Sequence, residues 1–179
     1  MSKKPTYEEL EKRVLKLERE AVKRKRAEEA LQERVKELKC LYAISHLIET
    51  ENDLSKFLQG TVDLIPESWQ YPEITISQII LDGKTYRTHQ RCELSCKDCP
   101  HVFMSQPIFI KDHPSGEIRV CYTEKKLESY EGPFLLEERY LLNAIAERLG
   151  RVMERRLAEE VLCESEKAHR YEGSFQDYT

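Results

Sequence analysis

A regular spacing of apolar residues constrains the first quarter of this 179-residue chain more than any other feature. From Leu10 to Tyr42, apolar residues recur after alternating steps of four and three residues, and we call this line of positions the seam. Two charged residues, Arg24 and Glu28, interrupt the seam midway. Such a heptad repeat predicts an amphipathic helix, and one helix cannot bury its own seam. We therefore expect a parallel homodimer. Its contacts would come from Leu10, Val14, Leu17, Leu31, Val35 and Leu38.

The start of this helix is also visible in the sequence. Thr6 is a suitable N-cap, and Glu8 and Glu9 place negative charge near the positive end of the helix dipole. The pattern predicts one helix over residues 7–49.

A second stretch near the C-terminus continues the same four-three stepping. It runs from about residue 133 to 169, and Arg156 and Glu159 interrupt it as Arg24 and Glu28 interrupt the first seam. This resemblance predicts a second connector helix that adds to the dimer contact. The dimer contacts expected here are Leu142, Ile145, Leu149 and Val152.

Charge divides the chain into three parts. Residues 41–150 contain 28 charged residues in 110, whereas the two ends contain 34 in 69. We expect an N-terminal coiled-coil helix over residues 1–39, a sensory domain over 40–150 and a C-terminal connector helix and tail over 151–179. The net charge of −4 argues against nucleic acid as a partner. The absence of a long apolar run or a signal peptide predicts a cytoplasmic protein without membrane insertion.

The central part alternates helical and extended patterns. A helix is predicted over residues 54–64, closed by Pro66, followed by a buried strand over 74–81. Asp82-Gly83 predicts a hairpin turn into a strand over 84–89. Two more strands are predicted at 105–110 and 117–123, around a turn at 112–116 that contains Pro114 and Gly116. This order indicates an α+β fold in which helices cover one face of an antiparallel sheet.

Four stretches of this pattern resemble a GAF domain of bacterial and archaeal multidomain sensors of the histidine-kinase type. Residues 40–48 are similar to the first GAF helix and 62–72 to the approach to its first strand. Residues 116–122 are similar to its last strand and 134–146 to its closing helix. The resemblance implies a sensory role in a two-component system, between signalling coiled-coil helices. The tail, residues 162–171, resembles the entry to a PAS domain, which implies a downstream PAS or kinase domain.

Three cysteines lie within eight residues of one polar loop. Cys92, Cys96 and Cys99 are close enough in sequence to converge on one metal ion or cluster. Cys121 and His101 are the candidates for a fourth ligand, and alternation along its strand predicts that Cys121 points away from Ile118, Val120 and Tyr122. Zinc and an iron–sulfur cluster both remain open.

Two other interpretations of these thiols stay open. Cys96 and Cys99 have the spacing of redox-active thiol pairs, and the cysteines can also be incidental. No G-x-S-x-G or H-E-x-x-H motif occurs, so we expect no catalysis. The sequence thus predicts a non-catalytic module that relays a ligand, metal or redox signal through dimeric helices. The alternatives are a ligand-free dimerisation module and a thiol redox protein.

Overall fold

A computed structural model describes residues 6–88 and 102–173 of the chain. Apart from a short 3-10 helix at Pro72–Ile74, the described elements follow in the order helix, helix, four strands, helix, which is the order predicted from the sequence. The helices are α1 (Tyr7–Thr50), α2 (Leu54–Ser68) and α3 (Leu136–Gly173). The strands are β1 (Thr75–Leu81), β2 (Lys84–Arg87), β3 (Phe103–Ile110) and β4 (His113–Tyr122).

The four described strands form one antiparallel sheet in the order β2-β1-β4-β3. Helix α2 packs against β1 and β2, and α3 packs against β3. The α+β class is therefore confirmed. The buried core lies between the helices and one face of the sheet, and its largest side chains are Trp69, Tyr122, Phe57, Phe134 and Ile44.

The start of α1 follows the predicted capping chemistry. The Thr6 hydroxyl accepts a hydrogen bond from the Glu9 backbone N–H, and the Glu9 carboxylate accepts one from the Thr6 N–H at 2.9 Å. Each side chain thereby satisfies a donor that a helix start leaves without an intrahelical partner. The helix continues without a break to Thr50, one residue beyond the prediction.

Helix α2 does not end before Pro66, as the sequence had predicted, but continues to Ser68. Proline lacks an N–H, so the Val62 carbonyl loses the donor that a helix normally supplies from four residues ahead. The buried Ser77 hydroxyl of β1 donates to this carbonyl at 2.7 Å. A side chain of the neighbouring strand thus replaces the missing helical hydrogen bond.

The β3–β4 turn was predicted wrongly. Both residues with positive φ lie at Lys111 and Asp112, so β4 already begins at His113 and includes Pro114 and Gly116. Pro114 lies opposite a register shift in β3, where proline is tolerated. At Gly116 a Cβ would lie 2.5 Å from the Ile80 carbonyl oxygen, so glycine permits close approach of two strands. The β1–β2 turn at Asp82-Gly83 is as predicted, with φ of 50° and 75°.

The C-terminal apolar stripe lies inside this chain, in contrast to its predicted role. The four side chains expected to contact a second copy are buried in the domain core, where α3 covers the sheet. A four-three spacing identifies an apolar helix face but does not identify what covers it. These residues are Leu142, Ile145, Leu149 and Val152.

Helix α3 leaves the domain just after Met153, the last buried residue among the α3 side chains that the structure describes. At this point Glu154 accepts a hydrogen bond from the Lys111 backbone N–H at 2.6 Å. Arg156 donates to the carbonyls of Glu51 and Asn52 at 2.7 and 3.0 Å. The exit of α3 is therefore connected both to the β3–β4 turn and to the end of α1.

Candidate functional site

Cys121, the one predicted ligand that the structure describes, lies on the sheet face opposite the helices. Cys121 of β4 is 5% exposed, yet it does not belong to the core cluster that contains Ile118, Val120 and Tyr122. Its cross-strand neighbours are Ile76 of β1 and Phe103 of β3. The predicted orientation of Cys121, away from the other three side chains, is confirmed.

A charged pair lies beside Cys121 on the same sheet face. Arg119 donates two hydrogen bonds to one carboxylate oxygen of Glu117, at 2.8 and 2.6 Å. These bonds hold the pKa of Glu117 below its usual range. The Arg119 guanidinium also lies over the Phe103 ring, 5.5 Å from its centroid. This face therefore combines a thiol, an aromatic ring and an internally neutralised ion pair.

The other predicted ligands, Cys92, Cys96, Cys99 and His101, lie outside the described residues. The described chain stops at Thr88, whose N–H donates to the Ser77 carbonyl at 3.2 Å. It resumes at residue 102, next to the β3 residue that lies opposite Cys121. Both ends are thus at the same end of the sheet as Cys121. Within residues 6–88 and 102–173, no three His, Cys, Asp or Glu side chains are grouped to hold a metal ion.

The remaining described thiols have different surroundings. Cys40 is buried where α1 meets the core, and burial raises the pKa of its thiol. Cys163 is exposed on the projecting part of α3. Their positions in the two helical arms favour packing as small apolar side chains for both thiols, and this is correct for Cys40 and wrong for Cys163.

The α1 side chains predicted to contact a second copy are all exposed along one side of a continuous helix. None of them packs into the core of this chain. The two polar residues that interrupt the seam form an ion pair within the helix, with Arg24 Nε 2.9 Å from Glu28 Oε1. The exposed seam consists of Leu10, Val14, Leu17, Leu31, Val35 and Leu38.

Glu138 is a buried polar residue that sequence reasoning missed. Its carboxylate accepts hydrogen bonds from the Tyr122 hydroxyl at 2.8 Å and from the backbone N–H groups of Gln70 and Leu135 at 2.7 Å each. Burial raises the pKa of Glu138, and it also raises the pKa of Tyr122. Its position as the third residue of α3 was the available signal, because glutamate there reaches back to the helix start.

Comparison with known proteins adds no relative. No protein-family model matches the chain, and no curated protein matches it. No described helix is both long and apolar enough to cross a membrane.

Proposed function

We propose that this chain is a GAF-like sensory module that relays a metal or redox signal through its long helices. The observation that carries the proposal is the difference between the two faces of the sheet. Helices cover one face, and the opposite face presents Cys121 at the sheet end where the cysteine-containing stretch begins and ends. The long helices at both ends of the domain support a relay through helices.

The input would be the thiols of Cys92, Cys96 and Cys99, with Cys121 or His101 as the fourth ligand. Thiolates are soft ligands that suit zinc and iron–sulfur clusters, and Cys121 offers a thiol largely removed from water. A bound metal would join the stretch between β2 and β3 to the end of the inner strand β4.

The output would be a change in how α3 packs at the point where it leaves the domain. Glu154 connects α3 to the β3–β4 turn, and Arg156 connects it to the end of α1. A shift of β4 relative to these contacts changes the direction in which α3 projects. Bistable packing of this kind is how small local changes become movements of whole helices.

The test is anaerobic purification followed by a visible spectrum and metal analysis. We expect stoichiometric zinc or iron in the wild type, lost in Cys92→Ser, Cys96→Ser and Cys99→Ser and retained in the control Cys163→Ser. A colourless, metal-free protein whose variants all behave as wild type would exclude metal sensing.

A ligand-free dimerisation module is the second candidate, favoured by the apolar seam that α1 leaves exposed. It predicts a dimer whose association does not change with metal or oxidant. A thiol redox protein would instead reduce a disulfide substrate at Cys96 and Cys99. A disulfide-reduction assay therefore separates it from the sensory module and from the dimerisation module.

A further inference from the structure

The first half of α1 has no covering surface in this chain. The helix contains 44 residues, which corresponds to roughly 66 Å at about 1.5 Å per residue. Residues 7–32 are exposed on every side. Isolated helices in water gain little stability from propensity alone, so a long exposed helix with an apolar stripe requires a partner.

The seam specifies the geometry of that partner. Counted as heptads, the a positions are Val14, Ala21, Glu28, Val35 and Tyr42. The d positions are Leu10, Leu17, Arg24, Leu31 and Leu38. Eight of these ten residues are apolar or aromatic, and the two charged ones are of opposite sign and adjacent along the seam.

We propose that a second copy packs along this seam in parallel and in register, and that Arg24 and Glu28 fix the register by exchanging partners. This inference names the partner of the proposed module and rests on the proposed relay through its long helices. In the single chain Arg24 bonds Glu28 of its own helix. In a parallel pair, a d side chain packs against the following a residue of the other helix. Arg24 of each copy then contacts Glu28 of the other, and any slip in register leaves charge against leucine or valine.

The residues that flank the seam favour the parallel arrangement in the projecting part. In a parallel pair each g position faces the e position five residues later on the other helix. This brings Arg13 against Glu18 and Glu20 against Lys25, both of opposite sign.

Each of the two arrangements, parallel and antiparallel, also brings like charges together at one contact. The parallel pair brings Arg34 near Lys39, but Arg34 already bonds Glu37 in its own helix, beside the domain. An antiparallel alignment that joins Arg24 to Glu28 instead brings the two Lys25 side chains together at its centre. Lys25 also has a partner in its own helix, Glu29, with Lys25 Nζ 3.9 Å from Glu29 Oε1, so both like-charge contacts are partly compensated. The parallel arrangement is favoured by the opposite-charge contacts along the projecting part.

Orientation is tested by disulfide trapping. In the parallel register Leu17 lies opposite Leu17, so Leu17→Cys alone should form a 17–17 disulfide under mild oxidation, located by mass spectrometry of tryptic peptides. The wild type, treated identically, controls for the native cysteines. An antiparallel pair places Leu17 opposite Val35, so crosslinking only in a mixture of Leu17→Cys and Val35→Cys would overturn the proposal.

The charged layer is tested by sedimentation. Arg24→Glu and Glu28→Arg should each raise the dimer dissociation constant about ten-fold or more, because they create four like charges in the seam. A mixture of the two variants should restore association. The matched control Arg26→Glu makes the same charge change away from the seam and should leave association unchanged. A monomeric wild type overturns this inference and the dimerisation alternative but leaves metal binding untouched, whereas a dimeric wild type without metal overturns only the proposed input.

Discussion

At the scale of single residues, the hydrogen bond between Ser77 and Val62 is the clearest case of one residue compensating for another. We expect Ser77→Ala to lower the free energy of unfolding by about 1–3 kcal/mol, because it leaves a buried carbonyl without a donor. Pro66→Ala supplies the missing N–H, so Ser77→Ala should cost less in that background. A double-mutant cycle by urea denaturation measures this coupling, and additive effects would contradict the explanation.

Glu138 should make stability depend on pH. Burial raises its pKa, so the folded state retains the carboxyl proton to higher pH than the unfolded chain does. The stability contributed by this proton is present below the ordinary glutamate pKa of about 4.3 and is lost as pH rises through the folded-state value. We expect wild type to lose stability relative to Glu138→Gln between pH 4 and pH 7. Urea denaturation at both pH values measures this difference.

The neighbouring Glu137 provides the control for this effect. It is exposed, so Glu137→Gln should leave the pH dependence of the unfolding free energy unchanged. A difference between wild type and Glu138→Gln that stays constant from pH 4 to pH 7 would contradict the role assigned to the buried carboxyl.

At the scale of elements, glycines in two helices allow a matched comparison. In α3, a Cβ on Gly150 would overlap the backbone carbonyl oxygen of Phe109 in β3. In α2, a Cβ on Gly60 would meet only the Leu47 side chain, at 3.0 Å. We expect Gly150→Ala to lower the free energy of unfolding by about 1–3 kcal/mol despite alanine's better helix propensity. Gly60→Ala should change it by less than about 1 kcal/mol. Equal effects in thermal unfolding would mean that α3 and β3 can move apart freely.

The sequence was most informative where local chemistry determines the element. The cap at Thr6 and the turn at Asp82-Gly83 were predictable because each depends on neighbouring residues only. Pro66 and Gly116 were misread because their surroundings come from distant strands, which supply a donor in one case and a close backbone contact in the other. The direction of Cys121 followed from alternation, but its burial on that face did not.

At the scale of the whole molecule, α1 and α3 each have one part that packs in the domain and one part that projects from it. The same four-three spacing packs inward at Leu142 to Val152 and remains exposed at Leu10 to Leu38. Spacing defines a face, and the fold then decides whether the same chain covers it. The seam of α1 is therefore the one available to a second copy in the part of the chain that the structure describes.

Because the first part of α1 packs against nothing in this chain, we predict that the domain folds without it. Glu33 is the first part-buried residue of the helix, so a chain of residues 33–179 keeps every buried contact of α1. The full chain's unfolding midpoint should rise with protein concentration, because dimerisation stabilises the folded state by mass action. The shortened chain should sediment as a monomer and unfold at a midpoint independent of concentration. Persistent dimers would place the main contact outside residues 7–32.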